Sequence, residues 1–198
     1  MQVIRHRVNT LDGIRGLAPG LGAEVDLRSD ADGILLAHDP FVPGDRLDVF
    51  LDRWADGTPR GTLVLNPKED GLERVVMDAL AFRGIEDWFM LDLPLPTLVR
   101  LAVREGMPRV AVRVSEWEPV EAALAFRGLA KWAWLDSFSG EAPSRETVRA
   151  LARAFRVCLV SPELQGFPPA RIDAFLPLSP DLAAVCTKHP ETWGLATS

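Results

Sequence analysis

Tyrosine is absent from the 198 residues, cysteine occurs only twice and histidine three times. Two cysteines do not make the disulfide framework that staples a small secreted domain. Cys158 and Cys186 each lie inside an apolar run (RVCLV, AAVCT) and read as reduced core residues. No apolar stretch approaches the roughly 20 residues of a membrane-spanning helix. The N-terminus also lacks the charged-then-apolar layout of a secretory signal, so a soluble cytoplasmic protein is expected. Surplus positive charge is missing as well. A net charge of −6 supplies no field to hold a nucleic acid or an anionic membrane, although a local basic pocket stays open.

What is present is ordinary globular material, 47% apolar and 25% charged, enough for one sizeable domain over residues 1–198. Short β-branched runs alternate with longer amphipathic ones. Strands are predicted at 2–6, 23–28, 62–66, 88–92, 109–114, 132–136, 156–161 and 183–188. Helical spacing of apolar residues falls between them at 47–57, 71–84, 95–106, 119–128 and 144–155, several of these closing on Gly. Strands alternating with helices imply right-handed βαβ units and a parallel sheet. Eight units in one chain predict a compact α/β fold, a (β/α)8 TIM barrel with about 25 residues per unit. An internal echo supports the repeat. ALAFRGIEDWFMLD (79–92) and ALAFRGLAKWAWLD (123–136) agree at nine of fourteen positions, each a helix end, a Gly turn and a strand finishing in Asp. Common packing demand on one repeated building block explains the echo better than a recent duplication does. Trp88 and Trp132 occupy matching places in it and are read as packing residues.

In such a barrel reactive groups gather where strands end. The predicted strand ends carry His6 with Arg7, Glu24 with Asp26, Asn66 with Lys68, Asp92, Arg113, Asp136, Glu163, and Lys188 with His189. Parallel strands are buried on both faces and should be apolar, so charges at their ends need a ligand, a metal or one another. Glu24 and Asp26, two apart, share one face of a strand and can converge on a hard cation. An ion pair with Arg28 or Arg5 is the competing explanation. A two-residue turn at Asp32-Gly33 would pair residues whose numbers sum to 65, setting Asp26 opposite Asp39 with His38 one step away. His6 should approach from the adjoining strand. Two imidazoles flanking acidic groups suit general acid–base work, and Arg7 and Lys68 supply positive groups for a phosphate. Glu116 and Glu118 read as charges at a helix N-terminus.

Together these motifs resemble the glycerophosphodiester phosphodiesterase family of phospholipase-C-like barrels. The matching text is His6-Arg7 with Asn9-Thr10; Glu24-Val25-Asp26, Asp30-Ala31-Asp32-Gly33 and His38-Asp39; Asn66-Pro67-Lys68; and Thr187-Lys188-His189-Pro190. The order is kept from residue 4 to 190. The resemblance implies a divalent-metal-dependent phosphodiester hydrolase acting on a small glycerol- or sugar-phosphodiester. His6 and His38 would be general acid and base, Glu24, Asp26 and Asn66 the ligands of Mg2+ or Ca2+, and Arg7 and Lys68 the phosphate-binding pair. Asp92, Trp134, Asp136, Glu163 and Lys188 would line the pocket. Val8 stands where the family has Gly, Asn66 where it has a third metal carboxylate, and Lys188 where it has Asp. The 22 residues between Asp39 and the third predicted strand leave out the family's usual insertion. Two readings stay open beside this one. One is a catalytically impaired descendant binding a phosphorylated metabolite or a partner protein. The other is an unrelated barrel lyase or isomerase using Lys68 or Lys188.

Overall fold

Every apolar run predicted as a strand forms one in the computed structural model, which describes residues 1–194. The chain runs β1 (Gln2–Arg5), α1 (Leu11–Arg15), β2 (Gly22–Asp30), β3 (Gly33–Leu36), β4 (Asp45–Arg46), α2 (Leu47–Trp54), β5 (Leu63–Pro67) and α3 (Glu73–Phe82). It continues through β6 (Trp88–Met90), α4 (Leu95–Val99), β7 (Ala111–Val114), α5 (Val120–Leu124), β8 (Trp132–Leu135), α6 (Arg145–Ala152), β9 (Arg156–Val160) and β10 (Ala184–Thr187). The helices are shorter than the apolar spacing predicts. The predicted 95–106 helix stops at Val99 and continues as a single π turn, Arg100–Arg104. After β9, three 3-10 turns replace a helix, each opening with a proline at its first or second position. Proline fits the first turn of a helix but cannot serve its interior, which explains the broken path. Among the described residues no helix is long and apolar enough to cross a membrane.

Eight of the ten strands are parallel to their neighbours, in the order β6-β5-β2-β1-β10-β9-β8-β7. β3 and β4 are an antiparallel ribbon hanging from the end of β2. Between β6 and β7 there is one isolated parallel bridge, Met90–Val110, and the Met90 N–H donates to the Arg109 carbonyl at 2.9 Å. The architecture is thus a mixed α/β fold on a ten-stranded sheet, with that bridge where the expected barrel would close.

Period-2 alternation divides the core in two. One face packs against the helices through Val25, Leu65, Met90, Val112 and Leu159. On the other, Ile4, Val64, Phe89, Trp132, Cys158 and Cys186 pack against one another. Both cysteines are free and buried, as their apolar surroundings predict. Phe89 stacks on Trp132 with 4.5 Å between ring centroids, and Trp134 tilts against Phe89 at 6.4 Å. Trp88 belongs to the helix-covered cluster whereas Trp132 belongs to the other, so the echoed segments present their matching tryptophans to opposite faces. On the helix-free face β2 contributes no apolar side chain. It offers Gly22, Glu24 and Asp26. A Cβ on Gly22 would lie 2.4 Å from the Thr62 carbonyl and 2.9 Å from Ile4. Gly22→Ala is therefore expected to lower stability by about 2 kcal/mol, measured as a shifted denaturation midpoint with unchanged slope. A neutral substitution would show that β2 and β5 can part without cost.

Candidate active site

β2 and β5 run parallel in the register Glu24–Val64 and Asp26–Asn66, which brings Asn66 beside the carboxylate pair. Glu24 and Asp26 are 1% and 0% exposed. Each is met by hydrogen bonds from the segment that follows β1. The His6 N–H donates to the Thr187 carbonyl at 3.0 Å, which carries the chain on from the strand. Arg7 then takes a left-handed backbone conformation, φ 53°, and its N–H donates to Glu24 Oε2 at 2.9 Å. The Val8 N–H donates to the Glu24 carbonyl, and the Val8 side chain is buried in the helix-covered core. The position where the resembled family has Gly is thus a packing site here, and the strained residue is Arg7. Asn9 makes a two-point clamp on Asp26. Its Nδ2 donates to Oδ2 at 2.7 Å, and its Oδ1 accepts from the Asp26 N–H at 2.9 Å.

Positive groups face Asp26 from two sides. Lys68 Nζ is 2.9 Å from Oδ1, an ion pair out of hydrogen-bond alignment, and Arg7 Nε is 3.6 Å from Oδ2. Arg28, a competing partner, instead donates its Nε to the His38 carbonyl at 3.0 Å, and Arg5 is exposed. Glu24 accepts from Asn66 Nδ2 at 3.1 Å and lies 3.8 Å from His6 Nε2. Burial, with Asp26 close by, raises the Glu24 pKa to about 7. Burial lowers that of His6 to about 4, helped by Arg7 and Lys188, so its imidazole is neutral at physiological pH.

The β2–β3 hairpin differs from the expected register. Its turn residues are Ala31 and Asp32, so Asp30 pairs with Gly33 and the paired numbers sum to 63. Asp30 Oδ1 accepts from the Asp32 N–H at 2.9 Å, and Gly33 follows at φ 123°, a conformation glycine tolerates best. Asp26 consequently faces Ala37, whose N–H donates to its carbonyl at 3.1 Å, rather than Asp39. His38 reaches the site from just beyond the ladder. Its Nδ1 lies 2.8 Å from Asp39 Oδ1, and that hydrogen bond holds the Asp39 carboxyl below its ordinary range.

One pocket of about 270 Å³ is lined by His6, Arg7, Glu24, Asp26, His38, Asn66, Lys68, Asp92, Trp134 and Asp136. Arg113, Phe138 and Gln165 complete its far wall. Arg113 donates to Asp92 at 2.7 Å and lies 3.3 Å from Glu118 and 3.6 Å from Asp136. Asp92 reaches the pocket through its left-handed backbone, φ 55°. Burial raises the Asp136 pKa, and Gln165 Nε2 donates to both of its oxygens at 2.9 Å.

Two residues predicted to line the pocket do not. Glu163 is buried behind it, accepting from the Thr187 hydroxyl at 2.5 Å and the Lys188 N–H at 2.9 Å. The 3-10 turn Pro162–Gln165 turns Gln165 inward in its place. Lys188 is exposed and acts on His6 through its charge. His189 lies outside the pocket beside Glu191, with 3.1 Å between Nδ1 and Oε1. Asn9 marks the start of α1 in the sequence, but its grip on Asp26 had no sequence signal.

Whether these residues suit a hard cation can be judged from their unmet groups. Asn66 Oδ1 is buried without a hydrogen-bond partner, Asp26 Oδ1 has only the Lys68 ion pair, and Glu24 supplies a further oxygen. Two carboxylates and an amide oxygen are an oxygen-only donor set of the kind Mg2+ and Ca2+ take. The Asn66 amide would have to rotate its NH2 away from Glu24. No group of three or more His, Cys, Asp or Glu is poised for a metal among the described residues, and the third oxygen donor at this site is an amide.

The two shifted groups act oppositely on stability. Glu24, raised, stabilises the fold below its ordinary range, and this is lost as pH climbs towards 7. His6, lowered, adds stability as pH rises from about 4 to 6.5. In chelator, Glu24→Gln should therefore gain stability relative to wild type as pH rises from about 5 to about 8. A constant difference across that range would contradict the raised pKa.

No family model and no curated protein matches the chain. Solved structures do. A protein assigned as a glycerophosphodiester phosphodiesterase from Galdieria sulphuraria superposes with a TM-score of 0.71 at 16% identity, over 96% of this chain and 94% of that one. The glycerophosphodiester phosphodiesterase of Agrobacterium tumefaciens gives 0.67 at 12% identity, over 98% of both chains. The strand order, the β2–β3 hairpin and the pocket at the strand ends thus belong to a chain with the fold of the glycerophosphodiester phosphodiesterases.

Proposed function

We propose that the protein is a divalent-metal-dependent phosphodiester hydrolase acting on a small glycerol- or sugar-phosphodiester, its eight parallel strands closed into a (β/α)8 barrel. The observation that carries this reading is the meeting in one pocket of a buried carboxylate pair, two histidines and two cationic side chains. A phosphodiester anion needs cationic hydrogen-bond donors, and Arg7 and Lys68, which line the pocket, would supply them. A cation held by Glu24, Asp26 and Asn66 would polarise a phosphodiester oxygen and offset charge developing in the transition state.

The histidines divide the proton work. His6 is neutral at physiological pH and accepts the proton of the attacking water or of a neighbouring substrate hydroxyl. With both ring nitrogens protonated, His38 would donate Nδ1–H to Asp39, which fixes the ring, and would give the Nε2 proton to the departing alkoxide. Asp92, Trp134 and Asp136, on the wall that also carries Arg113, would face the alcohol portions of the substrate.

Hydrolysis of bis(p-nitrophenyl) phosphate with added Mg2+, Ca2+ or Mn2+ tests this directly. Turnover should require the cation and fall about a hundredfold or more in His38→Ala. Asn66→Asp, which restores a third carboxylate, should lower the cation concentration needed for half-maximal rate. Turnover that survives both chelator and His38→Ala would overturn the proposal.

A further inference from the structure

Of the basic side chains facing the buried carboxylate pair, Lys68 comes nearest. Its ammonium lies 2.9 Å from Asp26 Oδ1 without the alignment of a hydrogen bond. The Lys68 N–H donates to the Leu27 carbonyl at 2.9 Å, so the backbone is anchored and the side chain is the part free to move. Two residues earlier, Asn66 donates to Glu24 at 3.1 Å. The end of β5 thus offers one partner to each carboxylate. The other Asp26 oxygen, Oδ2, is held differently, by the Asn9 amide at 2.7 Å and by Arg7 Nε at 3.6 Å.

Asp26 Oδ1 is therefore the oxygen whose partner can be exchanged. It is also one of the three oxygens suited to a hard cation. An ammonium and a divalent ion on the same carboxylate oxygen repel each other, and burial leaves little water to screen them. A compact ammonium on a flexible four-carbon stem leaves such a contact more readily than a guanidinium fork would. It then needs another anion. The acids across the pocket are engaged, Asp92 with Arg113 at 2.7 Å and Asp136 with Gln165 at 2.9 Å, and Asp39 is held by His38. Lys68 itself lines the pocket and is 18% exposed, so a ligand's anionic group there is within its range.

We propose that Lys68 is an exchangeable counter-charge, which neutralises Asp26 until a divalent cation binds and then transfers its ammonium to the phosphodiester. The inference rests on the cation-site reading and adds to it a coupling between the two ligands. A bound cation frees the lysine that grips the phosphodiester, and a bound phosphodiester draws that lysine away from the cation's oxygen. Each ligand then raises the affinity for the other by the same factor.

The chain has three lysines, and Lys131, exposed just before β8 at the end of the sheet away from the pocket, is an internal reference. Brief acetylation with sulfo-N-hydroxysuccinimidyl acetate, read by peptide mass spectrometry, compares Lys68 with it. Saturating Mg2+ or Ca2+ should raise acetylation of Lys68 about tenfold relative to Lys131, and dimethyl phosphate added to the cation-loaded protein should lower it again. In Asp26→Asn, Lys68 should be acetylated rapidly with or without cation. By calorimetry, Lys68→Met should bind the cation about tenfold more tightly than wild type, and dimethyl phosphate should strengthen that binding less than it does in wild type. Cation binding seen by calorimetry with unchanged acetylation of Lys68 would overturn the exchange and leave the cation site standing. Acetylation raised by cation but unaffected by dimethyl phosphate would overturn the transfer to the phosphodiester. Absence of cation binding in both wild type and Lys68→Met would overturn the exchange together with the cation site.

Discussion

Two like-charged carboxylates buried two residues apart on β2 set the terms for everything around them. Neither Glu24 nor Asp26 can stay ionised in an apolar interior without compensation. Compensation comes from both neighbouring strands. Arg7 and Asn9 arrive from beyond β1, and Asn66 and Lys68 from the end of β5. The left-handed backbone at Arg7 follows from the same demand, since it aims an N–H at Glu24. The pair thus determines which side chains the adjoining strand ends must carry. It leaves Glu24 only partly ionised near neutral pH, a state that a bound cation or a protonated neighbour would relieve.

The far wall solves a related problem with opposite sign. Arg113 is surrounded by Asp92, Glu118 and Asp136, and burial working against its charge is outweighed by these acids. Arg113 is therefore a junction. It borders the polar pocket, and through Glu118 it joins the turn that presents Trp117. The far wall of the polar pocket and the turn that carries Trp117 are consequently linked through one guanidinium.

Much of this was legible in the sequence because it follows from periodicity. The eight parallel strands match apolar runs, and the parity of Glu24 and Asp26 put both on one face without further information. What failed was what depends on local geometry. The hairpin turn falls at Ala31-Asp32 because the Asp30 side chain caps it, which moves the register by two and leaves Asp26 opposite Ala37. Glu163 stands at a strand end, yet its carboxylate turns to Thr187 because a proline-led 3-10 turn follows. Asp92 has the parity of the helix-covered face and enters the pocket only through its left-handed backbone. The clamp of Asn9 on Asp26 joins residues 17 apart by side-chain geometry that no spacing rule encodes.

The central claim is that the Glu24–Asp26 pair, completed by Asn66, is a cation site. Isothermal titration of Mg2+ and Ca2+ near neutral pH, repeated in buffers of different ionisation enthalpy, measures both binding and protons released. The account predicts binding that expels protons, because the ligand carboxylates must be fully ionised to bind. Proton release should grow as pH falls below 7, and binding should be lost in Asp26→Asn. Absence of cation binding, or binding that releases no protons and survives Asp26→Asn, would contradict it.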